Sequence, residues 1–460
     1  MCGIFFKYSN NDIKLKEKNI IKRKVLKYLE TRGPDGVKEV YENNWYALHS
    51  LLSITHNKQT QPILLKERFV IIYNGELYND WKKYSSNYGD TDFLIKHINK
   101  YGIDGLSQLD GEFALVIYDS KKNFLYLAKD PFGTKPLHYA VSKDREIFAT
   151  TYNKTIEDLG VRNKDIISVP PNSLLRIDLN NNFKVKTLSN LRKFNFNSKK
   201  RTSYKDFSVA FTNAIKKRVK NVDKKIFIGL SSGHDSGLIA SELSNLKTSF
   251  SSYSVFYGEV IDILKSRIEI LSKNKKINLR NLVINSKNID SIKKYLKKYA
   301  PYVNMNIDNE KIVGLGSKGD FRNLSGFIAS AYITNIAKKN GEKIFLSGQG
   351  ADEIISDYFN IHTNSRKSCM NGDWTKATKP WKNFYGGWNA VFLAAQESIA
   401  GAYGIETRYP FLDYELVQTF LSLPSNLKSS AYKAPIRYML EKDSFPYHDH
   451  KIGFYGFKRK

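Results

Sequence analysis

A chain of 460 residues, 41% hydrophobic and 13% aromatic, is long and apolar enough for two packed domains, which excludes a disordered segment or a mini-protein. Only two cysteines, Cys2 and Cys369, exclude a disulfide framework, and no run nears the ~18 apolar residues of a membrane span. The net charge of +28 is spread along the chain, for example at Lys14, Lys96, Lys217, Lys294 and Lys339, with no zinc spacing, aromatic-basic RNA motif or strong helix-turn-helix signal beside it. Specific nucleic-acid binding is therefore not expected; attraction of acidic small molecules is the simpler use of the charge.

The start, MCGIFFKYSNNDIKLK, lacks the basic segment and apolar run of a signal peptide, so a cytoplasmic location is expected. Removal of Met1 would leave Cys2 with a thiol nucleophile and an α-amine of pKa near ~8 on one residue. That amine can take the thiol proton without a histidine. Gly3 beside it is read as leaving room for substrate. Further on, Phe69 to Tyr73 reads as a strand ending at an Asn74-Gly75 turn. Thr91 to Tyr101 reads as a helix, and Ala114–Tyr118 and Phe124–Ala128 as a hairpin around Asp119 to Asn123. Many strands and few helices predict stacked sheets over the first ~190 residues.

A first constellation lies here: Cys2, Arg32-Gly33-Pro34-Asp35, Gln61-Pro62, Tyr73-Asn74-Gly75-Glu76 and Gly89-Asp90. Acyl transfer by Cys2 passes through an oxyanion. The Asn74 amide and the Gly75 N–H suit an oxyanion hole, and Glu76 and Asp90 offer charge for a substrate ammonium. A plain hairpin turn at Asn74-Gly75 is the competing reading.

Lys193 to Arg201 reads as a basic linker. Beyond it Phe207–Val219 reads as a helix, and Lys225–Leu230, Ser251–Tyr257 and Lys343–Leu346 as strands alternating with helices, which predicts a parallel α/β sheet. Leu230 runs into Ser231-Ser232-Gly233-His234-Asp235-Ser236, a phosphate cradle of small residues before a helix; it is not a Walker loop. Ser347-Gly348-Gln349-Gly350-Ala351-Asp352-Glu353 repeats the strand-glycine-acid logic, making Asp235 and Asp352 candidate Mg²⁺ ligands. His234 is expected to face solvent from the loop.

Together these blocks resemble the glutamine-hydrolysing asparagine synthetase family. Asp130-Pro131-Phe132-Gly133-Thr134-Lys135-Pro136-Leu137 and Gly404-Ile405-Glu406-Thr407-Arg408-Tyr409-Pro410-Phe411-Leu412-Asp413 are similar to two further family blocks. The resemblance implies an N-terminal-nucleophile αββα sandwich, a class II glutamine amidotransferase over residues 2–190. A linker over 191–204 would lead to a parallel-sheet, ATP-pyrophosphatase-like ligase domain over 205–460. It implies a glutamine pocket of Leu52, Ile54, Asn74, Gly75, Glu76 and Asp90 around Cys2. It implies ATP contacts at Leu230, Ser231, Ser232, Gly233, Asp235, Ser236, Ser347 and Gly348, with Lys433 as catalytic lysine and Arg437 four residues on. Ammonia released at Cys2 would travel through an internal channel to an adenylated carboxylate. The implied partners are glutamine, ATP, Mg²⁺ and a carboxylate such as aspartate; a homodimer stays open.

Four positions depart from the family. Leu51 replaces an arginine that grips the glutamine α-carboxylate, Ser232 a glycine, Gly237 a frequent serine, and Gln349 a glutamate near the adenylate. A neutral amide at 349 is no general base. Asparagine synthesis, amidation of another carboxylate such as a sugar acid, and a non-catalytic binding role thus stay as alternatives.

Overall fold

The computed structural model describes residues 1–54, 60–79, 89–198, 200–220, 222–303, 305, 319–358, 368–451 and 453. Its contacts divide the chain into two units. One holds Met1–Lys193, Leu296–Tyr302 and Ala400–Glu406; the other holds Phe194–Tyr295, Val303–Ile399 and Thr407–Lys460.

The first unit is built on β1 (Gly3–Ser9), β2 (Gly36–Tyr41), β3 (Trp45–Leu51), β4 (Ile63–Leu65), β5 (Phe69–Leu77), β6 (Gly111–Asp119), β7 (Phe124–Lys129), β8 (His138–Val141), β9 (Glu146–Thr150), β10 (Ile167–Ser168), β11 (Ser173–Asp178) and β12 (Lys184–Ser189). They form two six-stranded sheets, ordered β10-β8-β9-β1-β3-β2 and β12-β11-β7-β6-β5-β4. Every pairing described within them is antiparallel.

Strand alternation sends successive side chains to opposite faces, and both faces of both sheets are covered. Ile4, Phe6, Ala47, Ile72 and Val116 meet between the sheets. Phe5, Tyr46 and Leu48 face outward onto Val25 and Leu29 of α1 (Leu15–Arg32) and Ile156 of α3 (Asn153–Asp158). Ile71, Tyr73 and Leu115 face outward onto Phe93, Leu94 and Ile98 of α2 (Asp90–Tyr101). Each such side chain contributes roughly 1.5–3 kcal/mol on burial. The result is the expected αββα sandwich.

The β6–β7 hairpin and α2 form as the sequence suggests. The Asn74-Gly75 turn does not. β5 runs straight through both residues to Leu77, because β6 pairs along its whole length, with Asn74 opposite Ala114 and Gly75 opposite Phe113. Gly75 has φ +147°, and a Cβ there would lie 2.0 Å from the Glu112 carbonyl oxygen. The glycine serves close strand approach, not chain reversal.

In the second unit, β13 (Lys225–Gly229), β14 (Phe250–Val255), β15 (Ile277–Leu282) and β16 (Glu342–Leu346) lie in the order β15-β14-β13-β16 and pair in parallel. Helix α4 (Lys205–Val219) precedes β13, and α5 (His234–Asn245) and α6 (Ile261–Ser272) follow β13 and β14. The segment after β16 forms a short π-helix, Ala351–Ser356, a geometry that tends to mark functional sites. The loops that leave β13 and β16 both emerge at the carboxyl ends of their strands, where parallel sheets bind ligands.

Candidate functional site

In the first unit Cys2 is buried, and its thiol donates toward the Leu52 carbonyl at 4.0 Å. Leu52 and Ile54 are themselves buried. Arg32, fully buried, holds the nucleophile's backbone: its Nε donates to Cys2 O at 2.9 Å and its Nη1 to the Tyr152 hydroxyl at 2.6 Å. The Met1 ammonium lies 3.3 Å from a Glu406 carboxylate oxygen, with both side chains nearly fully buried. Burial pushes that ammonium pKa down, and Glu406 opposes the shift. Burial also pushes the Cys2 thiol up, against the neighbouring ammonium.

Gly3 serves a purpose other than substrate room. A Cβ there would lie 2.4 Å from Ser50 Oγ and 2.8 Å from Leu29 Cβ, so it allows α1 and β3 to close on β1. Ser50 Oγ accepts from Gly3 N at 3.1 Å and donates to Leu29 O at 2.6 Å.

Asn74 is fully buried on β5, and neither atom of its amide has a hydrogen-bond partner among the described residues. An amide kept dry and unpaired costs about 1–3 kcal/mol per group, which suits a ligand site. Asp90 opens α2 and accepts from Leu77 N at 3.4 Å; burial pushes its carboxyl up. Asp90 and Glu406 both act electrostatically on Cys2, and Glu76 is buried on the same strand as Asn74. Of the sequence-predicted group, Leu52 and Asp90 thus come near Cys2, and Glu406 joins them from far down the chain.

In the second unit, Leu230 ends β13 and the Ser231–Ser236 segment turns into α5. Three of its amides are engaged, two within the loop and one by Glu259. Ser236 Oγ accepts from Ser231 N and Ser231 Oγ from Gly233 N, each at 3.1 Å. A Glu259 carboxylate oxygen accepts from Ser232 N at 2.5 Å and also from the Ser232 hydroxyl. The serine that departs from the family glycine therefore has its own partner. Arg267, fully buried on α6, donates from Nη1 to Ser231 O at 2.5 Å and Gly233 O at 2.8 Å. A Cβ at Gly237 would lie 2.6 Å from the Arg267 guanidinium, so the second departure makes room for that arginine.

The two acidic loops meet. A Cβ at Gly348 would lie 2.8 Å from Asp235 Cβ. Lys433 Nζ lies 2.6 and 2.7 Å from the Asp235 oxygens and 2.9 Å from Asp352 Oδ1. Lys451 Nζ reaches the same Asp352 oxygen at 3.1 Å, and the Tyr432 hydroxyl donates to it at 3.0 Å. Burial pushes the Asp235 carboxyl up. Burial would do the same to Asp352, but Lys433 and Lys451 outweigh it and hold that carboxyl well below its usual range. The two carboxylates converge on the Lys433 ammonium. Two protein carboxylates with phosphate oxygens completing the shell suit Mg²⁺, so these residues fit that ion.

Ser347 caps Gln349 N through Oγ at 3.3 Å, and the Gln349 side-chain oxygen is buried without a partner among the described residues. His234 corrects the solvent-facing expectation. It is the first residue of α5, 3% exposed, edge-on to Tyr432 at 5.2 Å and tilted against Tyr447 at 5.8 Å. Burial, then Lys433 and Arg267, push its pKa down to about 3. Residues that the sequence reading passed over are Glu259, Arg267, Tyr432 and Lys451.

Among the described residues no helix is long and apolar enough to cross a membrane. The family model for the glutamine amidotransferase domain matches residues 1–196, and that for asparagine synthase matches residues 383–454. A Methanocaldococcus jannaschii protein, named provisionally as a glutamine-hydrolysing asparagine synthetase, is 29% identical over 427 residues, 88% of this chain and 74% of its own. An asparagine synthetase domain-containing protein of Saccharomyces cerevisiae is 24% identical over 501 residues, 93% of this chain and 90% of its own. The human glutamine-hydrolysing asparagine synthetase is 23% identical over 469 residues, 93% of this chain and 78% of its own. Both domain matches lie in the same order as the two chemical centres, and over most of its length the chain is similar to glutamine-hydrolysing asparagine synthetases.

Proposed function

We propose that the chain hydrolyses glutamine at Cys2 and passes the ammonia to a carboxylate activated by ATP, with aspartate, giving asparagine, as the first candidate. The glutaminase domain is taken as 2–190, the linker as 191–204 and the ligase domain as 205–460. After loss of Met1, the Cys2 amine takes the thiol proton. Sγ attacks the side-chain amide carbon, and the oxyanion is met by the Asn74 amide and Gly75 N–H. The C–N bond breaks, ammonia leaves with the proton, and water releases glutamate from the thioester. Glu76 and Asp90 pair with the substrate ammonium, and the Leu52 and Ile54 backbones line the pocket.

In the second step the acceptor carboxylate attacks the α-phosphorus of ATP and displaces pyrophosphate. Leu230, Ser231, Ser232, Gly233, Ser236, Ser347 and Gly348 are the proposed nucleotide contacts. Asp235 and Asp352 would hold Mg²⁺, which offsets triphosphate charge when bound. Lys433 counters negative charge developing on the phosphates. Ammonia then attacks the acyl-adenylate and AMP leaves. The observation that supports this reading best is the convergence of Asp235, Asp352 and Lys433 at the ends of β13 and β16.

Gln349 favours a second acceptor, a carboxylate other than aspartate such as a sugar acid. Its amide cannot take a proton from incoming ammonia, so the acceptor would bring its own base or use a different one. A screen of carboxylates that follows pyrophosphate release, with glutamine, ATP and Mg²⁺ present, decides between them. Asparagine and AMP from aspartate support the first; AMP only with another acid supports the second. Cys2→Ala is expected to abolish glutamine-driven turnover and spare turnover with free ammonium. Loss of both would sink the coupled scheme.

A further inference from the structure

Leu51 leaves the glutamine α-carboxylate without the family arginine, and the strand register shows what stands around it. Gly3 pairs with Ser50, so Cys2 comes beside Leu51 across the β1–β3 ladder. On the other side β2 sets Gly36 opposite Leu51 and Lys38 opposite His49. Ala47 and Val40, opposite one another, face the core between the sheets. By alternation Cys2, His49, Leu51, Gly36 and Lys38 share that face. Lys38 is therefore one diagonal step from Leu51, a separation of roughly 7–8 Å that a long side chain spans.

The surroundings favour a ligand there. Gly36 opposite Leu51 leaves open space, since a Cβ on it would meet nothing within 4 Å. His49 is 1% exposed, and its Nε2 has no partner among the described residues; its Tyr73 contact uses the other side of the ring. Lys38 Nζ donates to Pro62 O at 3.1 Å, which steadies the ammonium and uses one of its three donors. Lys135, whose Nζ lies 3.8 Å from Met1 Sδ, is buried 3.5 Å from Glu112.

We propose that Lys38 binds the α-carboxylate of glutamine from the strand next to Leu51, replacing the missing arginine. This rests on reading the Cys2 pocket as a glutamine site. An ammonium on β2 grips the same carboxylate that a guanidinium on β3 would grip, as a point charge and not a bidentate fork.

The test compares L-glutamine with L-glutamine α-amide, which lacks the carboxylate, by ammonia release from the full chain. Wild type is expected to show a KM about 10–100-fold higher for the α-amide. Lys38→Met is expected to raise the KM for glutamine about 10–100-fold and leave that for the α-amide nearly unchanged, so that discrimination vanishes. Lys38→Arg is expected to stay within a few-fold of wild type, and adding Leu51→Arg to Lys38→Met to restore discrimination. Full discrimination retained by Lys38→Met overturns the role of Lys38 while the glutamine reading stands. No ammonia from glutamine with the wild type overturns the glutamine reading, and Lys38 falls with it.

Discussion

Lys433 holds Asp235 through both carboxylate oxygens, at 2.6 and 2.7 Å, and does so from a residue with left-handed backbone, φ 49°, at the start of the helix Ala434–Lys442. That helix begins with Pro435 near its first turn, which tolerates the missing N–H there. The strained turn aims the ammonium at two acidic loops from different strands. It has desolvation against it, yet Asp235 and Asp352 hold its pKa well above the usual lysine range.

Replacing Lys433 by Met would leave two half-buried carboxylates without the ammonium they share, with Lys451 still on Asp352 and Arg267 acting on Asp235. Breaking a buried pair in this way costs about 3–5 kcal/mol. Pyrophosphate release is expected to fall at least about 100-fold, with glutamine hydrolysis retained. Calorimetry and the two half-reaction assays, run side by side, check this. Unchanged pyrophosphate release would remove Lys433 from the chemistry.

Lys451 shares Asp352 but its side chain is 26% exposed, so its loss should be milder. Lys451→Ala is expected to raise the KM for ATP about tenfold and to make the remaining activity less sensitive to salt. Initial rates at two ionic strengths test both parts. An ATP KM equal to wild type would assign Lys451 to packing over Tyr358, where its ammonium sits 4.0 Å from the ring centre.

Gly348 is predicted to tolerate no side chain. An alanine Cβ would stand 2.8 Å from Asp235 Cβ, a backbone-proximal atom that cannot swing aside. Gly348→Ala should cost about 1–3 kcal/mol and push the acidic loops apart. Equilibrium unfolding and nucleotide titration report the two effects. An alanine variant with wild-type nucleotide affinity would show that the loops separate freely.

His49 and His234 both have folded pKa values of about 3, against an ordinary 6.5, each because burial disfavours the charged ring. The unfolded chain therefore takes up protons first. The stability that these residues contribute is full above pH ~6.5 and is lost as pH falls toward 3, by at most about 1.4 kcal/mol per pH unit for each. Urea midpoints should drop between pH 7 and pH 4.5, and His234→Leu should shrink that drop. An equal drop in the variant would assign the acid sensitivity to other groups.

Much of this was legible from local pattern. Short unbroken apolar runs beside turn signals predicted the strands Phe69–Tyr73 and Ala114–Tyr118, and the helical spacing of Phe93, Leu94, Ile98 and Tyr101 predicted α2. Cys2, the Ser231–Ser236 loop and the Ser347–Glu353 block stood out because their chemistry is carried by contiguous residue types. Asn74-Gly75 misled because a turn dipeptide is a local signal, while its strand partner, Ala114-Phe113, lies far along the chain.

The sequence by itself determined the order of the two domain matches and the strand and helix patterns on which the candidate residues sit. Tertiary structure alone decided which distant residues share the two chemical centres. Glu406 reaches the N-terminus, Arg267 fills the space left by Gly237, Lys451 joins Lys433 at Asp352, and Lys38 comes one step from Leu51. The physical reason is that charge pairing and close packing act through space. Their partners are chosen by sheet register and loop approach, which no spacing along the chain records.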